Sequence, residues 1–359
     1  MNVGLVLGTS TGGVGEHVRS LVSGLLARGH DVTVLGPAST EERFGFSRAG
    51  ASFTPVEIST GTRPDRDLRA IRELRQRLLG VEVVHAHGLR AGFLAGRAGA
   101  NPLVCTWHNV VLAGGWRGRA YARLERTVAR SADVTLAVSP DLVARARALG
   151  ARDVRLAIVP APELPPAASD ARHRIRSELG AGARPIVLAV ARLQAQKGQW
   201  VLLDAAQGWE DREPSPVVVL AGDGPDLAAL QHRAARLRLP VELLGHRSDV
   251  ADLLAAADVV VLPSLWEGQP LVVQEALRAG RPLVATDVGG VARMVGDAAV
   301  LVPYGDTPGL AAAVARVLDD RELAQRLMAA GPVRAAGWPG LDEAVDQVEG
   351  VYSELASGS

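Results

Sequence analysis

The sequence predicts an α/β protein of two tandem Rossmann-like domains facing a central cleft. Three observations lead there. Its 359 residues exceed the roughly 250–300 at which a single core stops growing. Short apolar runs alternate with helical patterns, the signature of a parallel sheet covered on both faces. That alternation breaks once, at VPAPELPPAAS (159–169), and then restarts.

In the first half, strands are expected at Val3–Leu7, Val32–Leu35, Val81–His85, Leu103–Cys105 and Val134–Val138. Between the first two, Val14, Val18, Leu21, Val22, Leu25 and Leu26 recur at helical spacing, with Gly29 placed to end the helix. Pro160, Pro162, Pro165 and Pro166 fit neither a helix interior nor a central strand, so 159–169 reads as a linker. Strands are expected again at Ile186–Val190, Val217–Ala221, Val241–Leu244, Val259–Leu262, Leu283–Ala285 and Ala299–Val302. A last helical pattern spans 341–355 after a break at Trp338, Pro339 and Gly340. The expected division is therefore 1–163, 164–340 and a C-terminal helix, 341–359, able to pack back on the first domain through Val345, Val348 and Val351.

Composition narrows the function classes. An apolar fraction of 48% supports real cores and excludes disorder. Cys105 alone permits neither a disulfide framework nor a thiolate zinc cluster. The start, MNVGLVLGTS, lacks a basic n-region, and nowhere do about 18 apolar residues run together, so a cytoplasmic protein is expected. The 39 basic and 39 acidic side chains balance overall, yet residues 1–163 hold 21 arginines against 14 acids, and 164–359 hold 18 basic against 25 acidic. The halves are separate electrostatic units. Lys197 is the chain's only lysine.

Three segments could carry chemistry. GTSTGGVGEH (8–17) joins the first strand to its helix, and its glycines allow close approach of a ligand to helix N-terminal amides. Gly12, Gly13 and Gly15 do not complete G-x-G-x-x-G, because Val18 stands where the last glycine belongs, and the second strand ends without a ribose-binding acid. A dinucleotide is therefore disfavoured, while a smaller phosphate or sugar contact remains open beside a plain tight turn. In AVARLQAQKGQ, Arg192 and Lys197 follow a strand end, where two cations suit a diphosphate or simply face solvent. In PSLWEGQPLVVQEAL (263–277), Pro270 suits the first helical position and leaves the amides of Gly268 to Val272 available to oxygens. Glu267 in that loop and Glu275 inside the helix can accept hydrogen bonds from vicinal hydroxyls at two depths.

Taken in order, TGGVGEHV, VVHAHG, TWHN, AVARLQAQKG, AGDGPDL, LLGHRSDV, the Glu267-x7-Glu275 element and VATDVGG resemble the family 4 retaining glycosyltransferases of GT-B fold along nearly the whole chain. The resemblance implies transfer of a hexosyl unit from a nucleoside-diphosphate sugar to an acceptor hydroxyl, with no metal cofactor. It gives Arg192 and Lys197 the diphosphate, Glu275 the ribose, and Glu267 with Gly268, Leu271 and Val272 the donor sugar. Gly12 and Gly13 would approach the phosphate or sugar, His108 the sugar's reacting face, and Gly245 and His246, with Arg247, the base. His87 would line the acceptor side, while one of His85 and His87 would merely pack.

The residues independently suit such a reaction, because breaking a sugar–diphosphate bond develops negative charge that preorganised cations and amides stabilise. Two alternatives stand beside it: a sugar-nucleotide epimerase or hydrolase, and a non-catalytic nucleotide-sugar-binding homologue. The arginines of segment 117–130 (Arg117, Arg119, Arg123, Arg126, Arg130), opposed there only by Glu125, are consistent with peripheral contact to the inner face of an anionic membrane or with a solvated helix. They lack the aromatic platforms of a nucleic-acid surface.

Overall fold

The computed structural model describes residues 1–357 apart from Thr11, Thr60, Thr62 and Ala113, with Trp116 and Arg117 described in their backbone only. Thr11 of the glycine-rich loop and the side chain of Arg117 therefore lie outside the described residues. The chain divides into two compact units, residues 1–162 with 339–359, and residues 163–338.

In the first unit, β1 (Asn2–Leu7), β2 (Asp31–Gly36), β3 (Ser52–Pro55), β4 (Val83–His87), β5 (Leu103–Trp107), β6 (Val134–Ala137) and β7 (Asp153–Leu156) form one parallel sheet. Its order is β3-β2-β1-β4-β5-β6-β7. In the second unit, β8 (Ile186–Val190), β9 (Val217–Ala221), β10 (Val241–Gly245), β11 (Val259–Leu262), β12 (Leu283–Thr286) and β13 (Val300–Val302) form another, in the order β10-β9-β8-β11-β12-β13. Each order reverses once, between β1 and β4 and between β8 and β11, and that reversal opens a crevice at the carboxyl ends of the strands.

The apolar runs form strands because both faces are buried. Ile186, Leu188, Val217, Val219, Val260 and Leu262 point into one core, while Val187, Ala189, Val218, Leu220, Val259 and Val261 point into the other. This period-2 division is what a continuous Val/Leu/Ala run requires when helices cover both sides. The first helix, Gly13–Ala27, ends as its sequence suggests. Gly29 adopts φ 80°, its amide bonding to the Leu26 carbonyl and that of His30 to Leu25, which closes a Schellman motif.

Three differences from the sequence expectations have local causes. Strand β4 covers Val83–His87 rather than Val81–His85, pairing in register with β1 from Val3↔Val83 onward. At its centre His85 is fully satisfied: Nδ1 lies 2.6 Å from the Tyr352 hydroxyl and Nε2 2.6 Å from Thr106 Oγ1. The strands β3 and β7 are sheet edges, short and only partly buried, so they lack the apolar run that marks the others. Pro55 closes β3, where an edge tolerates a missing donor.

The C-terminal helix, Leu341–Ser357, belongs to the first unit. Ala344, Val345, Val348, Val351 and Tyr352 are buried, and Val345 lies so close to Gly24 that a Cβ there would meet it at 2.3 Å. Arg28 bonds Asp346 and Glu349, each at 2.6 Å, and Gln347 bridges to the Ile158 amide and the Leu156 carbonyl. Among the described residues, no helix is long and apolar enough to cross a membrane. Tyr352→Ala should cost about 3–5 kcal/mol in urea denaturation through the cavity it leaves, and Tyr352→Phe only about 1 kcal/mol through the lost His85 bond. Equal costs would mean that ring packing and hydroxyl do not contribute separately.

Candidate functional site

In the second unit the loops after β8 and β11 meet at the strand-order reversal. Gly198 sits at φ 69°, and a Cβ there would fall 1.8 Å from the Pro263 carbonyl oxygen, so only glycine lets the two loops approach this closely. The loops also exchange bonds: the Leu265 amide donates to the Gln196 carbonyl at 2.8 Å and Gln196 Nε2 to the Trp266 carbonyl at 3.0 Å.

This frame brings Lys197 and Glu267 together. The ammonium lies 2.8 and 2.9 Å from the two carboxylate oxygens, and buried Ser264 donates to Glu267 Oε1 at 2.6 Å. The carboxylate is almost fully buried at 6% exposure, while the lysine keeps 23%. Ser264 is itself held, its carbonyl accepting from Thr286 Oγ1 at 2.6 Å. From the loop after β12, the Gly290 amide donates to the Glu267 carbonyl at 3.0 Å. Gly289 adopts φ 55°, where a Cβ would stand 1.9 Å from that same oxygen.

The following helix, Leu271–Arg278, begins one residue later than the sequence suggests, with Pro270 extended as its N-cap. The Leu271 and Val272 amides therefore open the helix, where no intrahelical acceptor exists for them. Glu275 is half-buried one turn further in, and Gly268 is buried in the loop. Arg192 is exposed on the neighbouring loop, its carbonyl fixed by Gln199 Nε2 at 3.0 Å. At the end of β10, Gly245 takes φ 66°, and His246 after it is exposed. Arg247, expected with them at a base, is committed to the protein instead. It bonds Asp249 at 2.7 Å from two nitrogens and also Glu178, which raises its own pKa and lowers those of both carboxylates.

In the first unit, Gly12 caps the first helix and Gly13 begins it. Ser10 Oγ accepts from the Gly15 amide at 3.1 Å, and a Cβ on Gly15 would overlap the Phe44 ring at 2.1 Å. Across the reversal, the ends of β4 and β5 carry His87 and His108, with His87 Nδ1 3.2 Å from His108 Nε2. His87 is buried at 2% exposure and meets His108 inside the unit. His85 stacks on His87 with centroids 4.2 Å apart.

His17, on the buried side of the first helix, has ring centroids 5.7 Å from His87 and 5.5 Å from His108. Sequence reading passed over it, although it stands in TGGVGEHV; the signal was a polar residue three positions after Val14 and one before Val18 on an apolar face. Burial pushes His17 down to about 4 and His85 to about 3, and holds His87 and His108 well below the usual range. All four are neutral at physiological pH. Cys105, which pairs with Ala86 and packs against Gly92 on the other face of the sheet, has its thiol pushed up to about 12 by burial, which excludes a ready thiolate nucleophile. Glu125 does not offset its helix's arginines: it is fully buried and paired with Arg145, leaving Arg119, Arg123, Arg126 and Arg130 exposed.

Comparison with known proteins agrees with this division. Residues 184–320 match the model of glycosyl transferases group 1, and residues 12–162 that of the glycosyl transferase 4-like domain. The chain is 30% identical over 350 residues to the GDP-mannose-dependent α-(1-6)-phosphatidylinositol monomannoside mannosyltransferase of Mycolicibacterium smegmatis, covering 89% of each protein. It is 37% identical over 209 residues to the α-D-kanosaminyltransferase of Streptomyces kanamyceticus, a match covering 56% of this chain and 54% of that one. Anabaena HepE, solved with UDP, superposes with a TM-score of 0.84 at 20% identity, over 99% of this chain and 100% of that one. At that identity the likeness speaks for the GT-B fold alone.

Two outcomes follow from the geometry. Gly289→Ala should destabilise the second unit by about 2–4 kcal/mol through left-handed strain and overlap with the Glu267 carbonyl, measured by chemical denaturation; an unchanged midpoint would contradict the tight approach. The buried histidines also predict acid sensitivity. From about pH 6.5 downward the unfolded chain takes up protons that native His17 and His85 refuse until about 4 and 3, so stability is full above 6.5 and lost as pH falls. The slope between pH 6 and 5 should be roughly 1.4 kcal/mol per pH unit for each histidine, and urea midpoints of wild type and His17→Gln should show the variant's slope reduced.

Proposed function

The chain belongs to the group 1 glycosyltransferases, and from that membership we propose a retaining, metal-independent transfer of a hexosyl unit from a nucleoside-diphosphate sugar to an acceptor hydroxyl. The observation that carries the reading is the Lys197–Glu267–Ser264 node at the carboxyl ends of β8 and β11, beside the opening amides of Leu271–Arg278. Relatives named for GDP-mannose and neighbours bound to UDP and UDP-glucose support a nucleoside-diphosphate sugar as donor.

In this reading the second unit holds the donor. Arg192 offers a fork of donors and Lys197 a point charge to the diphosphate. As the glycosidic bond breaks, the leaving phosphate gains negative charge, and these cations stabilise the transition state more than the ground state. Glu267, with the amides of Gly268, Leu271 and Val272, accepts and donates to the sugar, Glu275 accepts from the ribose hydroxyls, and Gly245 with His246 borders the base. The first unit is the acceptor-side domain, contributing Gly12, Gly13 and His108, with His87 behind His108. Cations take the charge that a metal would otherwise bear, and no protein nucleophile is assigned.

A thermal-shift panel of UDP, GDP, ADP, TDP and NAD, on wild type and Lys197→Ala, tests the reading. One nucleoside diphosphate at a hundredfold its Kd should add about 2.7 kcal/mol of stability to wild type and clearly less to the variant. With that nucleotide's sugar as donor, Lys197→Ala should lose on the order of 10²-fold in kcat. Stabilisation by NAD alone, or by nothing, would sink the transferase reading; donor consumed without an acceptor would point to a hydrolase or epimerase.

A further inference from the structure

We propose that His17, His87 and His108 form a binding site for a late divalent transition metal of the zinc class, closed by one ring nitrogen from each and left open at a fourth position. Among the described residues, this is the one group of three or more His, Cys, Asp or Glu side chains so placed, with one nitrogen of each lying within 4.8 Å of the others. Tetrahedral zinc with nitrogen ligands at 2.0–2.1 Å sets its ligands about 3.3 Å apart. The His87–His108 pair already stands at 3.2 Å, so the third nitrogen closes by at most about 1.5 Å through ring rotation.

The site is neither a packed apolar core nor a satisfied hydrogen-bond network. His17 Nδ1 and His87 Nε2 are buried with no partner, whereas His85 beside them has both ring nitrogens occupied. With His87 ligating through Nδ1, the atom 3.2 Å from His108 Nε2, His17 Nδ1 is the orphan the ion can engage, and an orphaned buried nitrogen in such a cluster is what an ion or ordered water normally explains. The chemistry matches as well, since ligation requires neutral imidazoles and burial keeps all three rings neutral. His17 and His87 are buried and His108 is half-buried, so the third ring gives the ion its path from solvent and its open position, the pattern of three imidazoles plus water.

The rings are fixed by unrelated elements: His17 by the first helix, His87 by β4, and His108 by the loop after β5. His85, pinned by Tyr352 and Thr106, stacks on His87 and holds its plane, a supporting partner of the kind that orients metal-bound imidazoles. An ion here would take the lone pair of His108, so it opposes the proposed transfer and is no cofactor for it. Only that consequence rests on the transferase reading; binding itself does not.

Zinc chloride titrated calorimetrically into the metal-free full chain should bind once per chain. His17→Gln and His87→Gln should each weaken that binding by more than about tenfold, while His232→Gln, an exposed histidine beside Arg236, leaves it unchanged. Cobalt added to wild type should give the intense visible bands of four-coordinate nitrogen ligation, a readout that does not depend on any variant folding. No zinc uptake by wild type, binding equally strong in His17→Gln, or only the pale spectrum of six-coordinate cobalt would each overturn the site. Nucleoside diphosphate stabilisation is measured separately on the same samples, so failure of the metal site and failure of the donor site are distinguishable.

Discussion

A parallel sheet covered on both faces has one place for chemistry, the crevice where its strand order reverses, and both units obey that constraint. In the interior, Val, Leu and Ala fill two cores per sheet, as the alternation along β8 and β9 demonstrates. Charged side chains cannot enter those layers without a desolvation cost. They collect instead on loops at the carboxyl ends, and the loops beside the reversal have the most room. The Lys197–Glu267 pair sits on such loops at β8/β11 in one unit, and the neutral cluster of His17 on the first helix, His87 at the end of β4 and His108 just after β5 sits beside the β1/β4 reversal in the other.

Much of this was legible because burial on both faces writes a simple pattern. The strands Ile186–Val190, Val217–Ala221 and Val259–Leu262 coincide with the apolar runs that predict them. The edge strands β3 and β7 were not legible, since an edge needs no such run. Nor was the register of β4, which sits two residues beyond the Val81–His85 run, or the bond that holds its central histidine. Tyr352 lies 267 residues from His85, and no local pattern announces that bond.

The candidate site was legible in its members and not in its wiring. Arg192, Lys197, Glu267 and Glu275 stand out by type and spacing, but the ion pair between Lys197 and Glu267 joins positions 70 residues apart. Its supports are equally silent in sequence: Ser264 and Gln196 look like ordinary loop residues, and Gly198 and Gly289 look like turn glycines. Only the approach of a carbonyl within 2 Å of where a Cβ would stand shows why those two positions exclude a side chain. Arg247 teaches the converse, since a cation in the right segment is already occupied by Asp249 and Glu178.

The two crevices solve the problem of buried polarity in opposite ways. In the second unit charge is retained: Glu267 stays buried beside Ser264, and Lys197 remains partly open to solvent. An arriving anion can therefore share the ammonium while the hydroxyl still holds the carboxylate, so the pair is preorganised for a charged ligand without leaving a naked buried charge. In the first unit charge is avoided, because four imidazoles pressed together are sustainable only when neutral. Neutral imidazoles keep lone pairs, however, and two buried ring nitrogens there lack partners. A cluster of that kind resists protonation and offers its lone pairs to metal cations rather than a site to anions. The same fold thus presents an anion-seeking edge on one sheet and a lone-pair-bearing edge on the other, each following from which side chains the strand ends carry.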